Sequence, residues 1–166
     1  MILALATIKR LIPEWNERPL TAADFYRLCR RFKVKVHSIP LRVPGFYMYS
    51  RRYGAHIYVN SKLRGVAWLL AAFHELGHHL MHTPPDVTVA FFYQLRPNTK
   101  EDREADAFAY TALLPEPLLR RLLTENADEL RACVEYDEDG NATESEYGLT
   151  GKIIYGRMEV LGLFRI

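Results

Sequence analysis

The residues most suited to chemistry are two histidines and a glutamate within one short stretch. His74, Glu75 and His78 form the pattern HExxH inside a run with helical periodicity. Histidines four positions apart lie on one face of a helix, one turn apart, so both imidazoles can reach a single metal ion. Glu75 is rotated about 100° from His74, which puts its carboxylate within reach of a water on that ion. The spacing predicts zinc ligands at His74 and His78 and a general base at Glu75.

Two further histidines follow in the same helix. His82 is about 12 Å from His74 along a straight helix, too far to bind the same ion, so we expect it to pack or hydrogen-bond below the site. His79 faces another direction and is expected at the surface. Met81 and Pro84 stand where a metzincin has glycine and a third histidine, which excludes that class.

The third ligand must come from another segment, and the acidic start of KEDREADAFAYTALLP (residues 100–115) is the candidate source. Asp102 and Asp106 are four positions apart and share a helix face. This spacing allows Asp102 to bind the metal while Asp106 accepts the other ring N–H of a ligand histidine, His74 by expectation. Asp102 could instead only cap its helix, because it stands three positions after Thr99 in the spacing of a capping box.

The surrounding pattern predicts the elements that position these residues. Apolar positions and caps indicate helices over about 22–32, 63–82, 99–114, 117–133 and 150–161. β-rich runs indicate strands at 34–39, 46–50 and 55–60, the last two joined as a hairpin by RRYG. The segment VTVAFFYQ (87–94) fits either a strand or a loop over the site. We expect an α+β fold in which a small mixed or antiparallel sheet packs on the central HExxH helix.

Length and composition indicate the number of domains and the location of the protein. The 166 residues, 49% of them hydrophobic, predict a single domain over 1–166 that needs no disulfide for stability. Cys29 and Cys133 show no paired spacing, which favours a reducing, cytoplasmic location. The N-terminus lacks the charge order of an export signal, and the apolar run 65–73 is about half the length of a membrane span. The polar segment 137–146 is the expected mobile loop.

Charge is unevenly distributed along the chain. Residues 1–65 contain 13 Lys/Arg and 3 Asp/Glu, whereas residues 116–147 contain 3 and 10. A basic half with interleaved aromatics at 46–58, together with Arg157 in the last helix, is the basis for a DNA-binding hypothesis. Solvated surface charge and ordinary strand aromatics explain the same residues, so we do not expect direct nucleic-acid binding.

The HExxH segment and the acidic segment 100–115 together resemble a known family. HELGHHLMH, followed about 20 residues later by a helix that reads DREADAFA and ends in LLP, is similar to the ImmA/IrrE-type metallopeptidases, which are gluzincin-like zinc proteases. GAHIYVNSKL upstream and YGLTGKIIYGRMEVLGL downstream resemble the family's strand before the zinc helix and its closing helix. The resemblance covers most of the chain from about Leu20 and implies a minimal zincin-like fold.

For the site, the resemblance implies one zinc ion per chain, with His74 and His78 as ligands and Glu75 as general base. The family's third ligand is a glutamate at the position of Asp102. Aspartate is one methylene shorter, so the two helices must approach more closely, or else Glu101 or Glu104 must substitute. We choose Asp102.

For function, the resemblance implies an endopeptidase that cleaves a helix-turn-helix transcriptional repressor of a mobile element or stress response. That repressor is expected to be a separate protein, since the catalytic unit accounts for most of this chain. An extended substrate segment could pair with the strand Ala55–Asn60. The alternative is a non-catalytic zinc-binding module that retains the fold, a hypothesis motivated by Asp102 in place of glutamate.

Overall fold

The computed structural model describes residues 2–83, 88–92, 99–125 and 151–163. Within these ranges lie six helices and four strands, so the predicted α+β class is confirmed. In chain order the elements are α1 (Ile2–Leu11), α2 (Ala22–Arg31), β1 (Val34–Ile39), β2 (Gly45–Ser50), β3 (Gly54–Asn60), α3 (Gly65–His82), β4 (Val89–Phe92), α4 (Lys100–Leu113), α5 (Glu116–Glu125) and α6 (Gly151–Val160).

The four strands form one mixed sheet in the order β1-β3-β2-β4. β1 runs parallel to β3, while β2 is antiparallel to both β3 and β4. The segment 87–94, which the sequence left open between strand and loop, thus contributes β4. β3 is paired along both edges, so the expectation that substrate adds to Ala55–Asn60 is wrong: the backbone groups of this strand are already used by its neighbours.

Helices α2 and α4 begin where their capping residues predict. Thr21 and Asp24 form a full capping box at the start of α2, and Thr99 and Asp102 form another at the start of α4. In each box the two side chains satisfy backbone N–H groups that the first helical turn leaves without a partner. The start of α4, which carries Asp102, is therefore set by local sequence.

The HExxH helix α3 lies between the sheet and α4. Phe73 and Leu76 on α3 are fully buried together with Phe108 of α4 and Ile57 of β3. Gly77 allows the two helices to approach closely, since a Cβ atom there would lie 3.1 Å from the Cα of Ala105. This contact brings the acidic end of α4 alongside the two histidines.

Helix α1 is an element that the sequence analysis missed. Ile8 and Ile12 are buried, and the indole N–H of Trp15 donates to the carbonyl oxygen of Phe108 at 3.2 Å. The sequence signal for this helix is at its end, where Lys9 and Arg10 lie in the last turn and Pro13 follows just beyond it.

Two expectations lie partly or wholly outside the described residues. The predicted helix 117–133 is described as far as Glu125, and the polar segment 137–146 is not described. Among the helices of the described part of the chain, none combines the length and apolar character needed to cross a membrane.

Arg157 is a buried structural residue and does not offer its charge to a partner such as DNA. Its side chain is only 2% exposed; Nε donates to the Leu114 carbonyl at 3.0 Å and Nη2 to Asn16 Oδ1 at 2.8 Å. Because Arg157→Ala would leave a cavity and unpaired buried acceptors, we expect it to lower the free energy of unfolding by about 2–4 kcal/mol in denaturant titration. Arg120→Ala, at an exposed arginine of α5, should change it by less than about 0.5 kcal/mol. Equal effects of the two variants would contradict this role.

Candidate metal centre

The centre is built on the buried half of α3. His74, Glu75 and His78 are 5%, 3% and 1% exposed, which is unusual for side chains of this polarity. Since α3 is sandwiched between sheet and α4, its HExxH residues face the interior of the protein. Buried polar groups of this kind require specific partners.

Three potential ligand atoms converge here. One nitrogen each from His74 and His78 and one carboxylate oxygen of Asp102 all lie within 4.8 Å of one another. The two Nε2 atoms are 3.1 Å apart, and His78 Nε2 is 3.5 Å from Asp102 Oδ1. Ligands about 2.0–2.1 Å from a tetrahedral zinc ion lie about 3.3 Å from each other. The observed separations therefore match the edges of such a coordination shell.

Asp106 determines which nitrogen of His74 is available. Asp106 Oδ1 lies 2.8 Å from His74 Nδ1, and a carboxylate can only accept a hydrogen bond. His74 Nδ1 is thus the N–H donor, and in the neutral ring Nε2 presents a lone pair. The sequence predicts this contact between Asp106 and His74. Because Nδ1 carries the proton, the lone pair on His74 Nε2 faces His78.

Asp102 uses its two carboxylate oxygens for different contacts. Oδ2 accepts hydrogen bonds from the backbone N–H and the hydroxyl of Thr99, at 3.2 and 2.8 Å. Oδ1 is the atom that faces His78. Capping and metal binding, which the sequence analysis treated as alternatives, are therefore compatible in one side chain.

The other carboxylates considered as third ligand are placed elsewhere. Glu104 Oε2 lies 3.0 Å from His82 Nε2, and Glu101 is exposed. Among the described residues, the group of potential metal ligands contains Asp102 and neither of these glutamates. The geometry favours Asp102.

The remaining histidines of α3 have different environments. His82 lies below the site as expected, with Nδ1 3.1 Å from His78 Nδ1. The prediction of a surface position for His79 is wrong. His79 Nδ1 lies 2.9 Å from the hydroxyl of the buried Tyr47, because α3 packs on β2 at this point. His79 is half-buried, and this burial lowers the pKa of its ring.

Glu75 is buried beside these ligands with one oxygen unsatisfied. Its Oε2 has no hydrogen-bond partner among the described residues. Burial, followed by the negative charges of Asp102 and Asp106, raises the pKa of Glu75 well above its usual range. Gly45 of β2 leaves room for this carboxylate, since a Cβ there would lie 3.2 Å from Glu75 Oε1. In the part of the chain that the structure describes, Oε2 of this carboxylate therefore has no donor.

These observations together fit a divalent cation. Two imidazole nitrogens and one carboxylate oxygen make a donor set that zinc accepts with one position left open for water. Burial, together with the rings of His74 and His82, lowers the pKa of His78 to about 3, so this ring is in the neutral form that metals bind. A cation and its water would supply a positive charge and a donor for Oε2 of Glu75.

The aromatic side chains on the outer sheet face are not arranged as a base-stacking platform. Tyr58 is stacked between Phe46 and His37, with ring centroids 4.4 and 4.5 Å away. Both faces of the central ring are therefore occupied within the protein. Stacking of nucleic-acid bases needs free ring faces.

Comparison with known proteins identifies the family. Residues 29–144 match the family model Peptidase_M78, described as the IrrE N-terminal-like domain. No curated protein matches the chain significantly. The matched range contains α3, α4 and all four strands, and hence every residue of the candidate metal centre. The chain therefore belongs to the Peptidase_M78 family of metallopeptidases, as the HExxH helix and the acidic second helix had indicated.

Proposed function

We propose that this protein is a zinc-dependent endopeptidase with one zinc ion per chain, held by His74, His78 and Asp102. The observation that carries the proposal is the convergence of three ligand atoms next to a buried carboxylate with an unsatisfied oxygen. A structural metal site needs no such group, whereas hydrolysis requires a base beside the metal.

Each residue of the site has a defined task in this reaction. Zinc, when bound, would activate water and polarise the scissile carbonyl. Glu75 accepts a proton from the attacking water and transfers it to the leaving amine nitrogen. Glu75 is buried beside the ligand atoms, so bulk water competes little for this proton before it reaches the amine nitrogen and the C–N bond breaks. Asp106 holds His74 in the tautomer that binds metal.

The proposed substrate is an extended segment of a protein. β3 has no free edge. The outer strands β1 and β4 each have one paired neighbour among the described strands, and we propose that substrate pairs with β4, which adjoins β2. β2 also carries Gly45, which lies against Glu75. From the family resemblance we propose a cytoplasmic, helix-turn-helix transcriptional repressor as the target.

The test combines metal analysis with peptide hydrolysis. The protein purified without chelators should contain about one zinc per chain and should cleave members of a library of unstructured peptides, with new termini detected by mass spectrometry. Removal of zinc with a chelator should abolish cleavage, and added zinc should restore it. Zinc binding without cleavage of any peptide would instead support the non-catalytic module, and the absence of zinc after reconstitution would contradict both functions.

A further inference from the structure

We infer that His82 and Glu104 form a positioning pair that holds His78 in the tautomer required for metal binding. The inference rests on the proposed metal site and extends it to two residues that do not touch the metal. The pair joins α3 to α4 directly beneath the ligand cluster. One carboxylate and two imidazole rings are contiguous from Glu104 through His82 to His78.

The contacts form a continuous chain. Glu104 Oε2 lies 3.0 Å from His82 Nε2, and His82 Nδ1 lies 3.1 Å from His78 Nδ1. The side chains of His82 and Glu104 are 8% and 15% exposed, so water competes little for these hydrogen bonds. The rings of His78 and His82 are 5.2 Å apart and tilted by 56°. This arrangement points nitrogen at nitrogen, as a hydrogen bond between rings requires.

Proton positions along the chain follow from the chemistry of the groups. A glutamate carboxylate accepts hydrogen bonds and does not donate them, and Glu104 Oε2 lies within hydrogen-bond distance of His82 Nε2. His82 Nε2 must then be the donor, which leaves a lone pair on Nδ1 of the neutral ring. His78 Nδ1 consequently donates to His82, and His78 Nε2 presents its lone pair to the metal.

His82 and Glu104 therefore fix the tautomer of His78, as Asp106 fixes the tautomer of His74. Both Nε2 atoms become lone-pair donors, and they face each other 3.1 Å apart with no proton between them. Two lone pairs at this distance repel unless a cation lies between them. Each histidine ligand thus has a partner on α4 that fixes its proton, directly for His74 and through His82 for His78.

The experiment measures zinc affinity by competition with a chromogenic chelator. His82→Ala and Glu104→Ala should each weaken zinc binding by about 10–100-fold, the range found for residues that orient metal-bound histidines. Glu104→Gln should remain close to wild type, because the amide oxygen still accepts from His82. The double variant His82→Ala/Glu104→Ala should bind zinc no more weakly than His82→Ala alone, since both act through His78. Glu101→Ala, at an exposed glutamate of the same helical turn, is the control and should leave the affinity unchanged.

A second measurement determines the tautomer of His78 in the metal-free protein. Long-range proton–nitrogen NMR correlations of the metal-free protein should show the proton of His78 on Nδ1 in wild type and distributed over both nitrogens in His82→Ala. Unchanged affinity and tautomer in His82→Ala would overturn the inference, as would equal losses in Glu104→Ala and Glu104→Gln. If wild type shows the Nδ1 tautomer but binds no zinc, the proposed function fails while the positioning pair stands.

Discussion

Replacing Glu75 by glutamine is expected to reduce peptide hydrolysis by about 10²–10⁴-fold, the usual contribution of a general acid–base group. The variant should still bind one zinc ion, because Glu75 is not among the three proposed ligands. Glutamine has the same length and fits beside Gly45, yet its amide cannot accept the proton of the attacking water. The measurements are the rate of cleavage of the best library peptide and the zinc content of the same sample.

The control for this prediction is Glu101→Gln, which makes the same chemical change at an exposed position of α4. It should retain both activity and zinc. Stability should not fall in Glu75→Gln, since burial disfavours the charged form of Glu75 and a neutral amide avoids that penalty. Cleavage by Glu75→Gln at the wild-type rate would contradict the assigned role of this carboxylate.

The elements around the candidate metal centre can be predicted from the sequence because contacts between residues close in the chain determine them. The capping boxes at Thr21 and Thr99 set the starts of α2 and α4 through contacts within three residues, so they can be recognised from spacing alone. The same holds for HExxH, whose geometry depends only on helical periodicity. The Asp106–His74 contact could also be anticipated, because its two partners lie on helices that were both predictable.

Features that depend on tertiary packing could not be predicted in this way. The position of β3 inside the sheet depends on the parallel pairing with β1, which no local pattern encodes. The sequence around His79 does not distinguish it from an exposed helical residue, and only the packing of α3 on β2 places its ring, half-buried, against Tyr47. In the sequence, Arg157 cannot be distinguished from a surface arginine. Only the packing of α6 near Asn16 buries it.

Helix packing explains how Asp102 could serve as the proposed third ligand in place of the family's glutamate. A carboxylate one methylene shorter than glutamate can reach the site only if α4 lies close to α3. Gly77 and Ala105 provide this proximity, because neither has a side chain large enough to separate the helices. Thr99 then holds Oδ2 of Asp102, so the shorter side chain also loses less rotational freedom when Oδ1 binds the metal.

Asp102 is expected to be essential for zinc binding even when its capping contact is kept. In Asp102→Asn the amide oxygen can still accept from Thr99, but the ligand charge is lost. We therefore expect zinc affinity to fall by more than about 100-fold, beyond the effect of residues that only orient a ligand. The free energy of unfolding of the metal-free protein should change by less than about 1 kcal/mol, the usual value of a cap. Zinc competition and denaturant titration measure the two quantities separately.

The matched variant is Thr99→Ala, which removes the cap and retains the ligand. It should destabilise the metal-free protein by about 0.5–2 kcal/mol and weaken zinc binding far less than Asp102→Asn does. If Asp102 served only as a cap, Asp102→Asn would bind zinc as tightly as the wild type and Thr99→Ala do. The two variants thus separate the contributions of Oδ1 and Oδ2, which the structure assigns to different partners of one side chain.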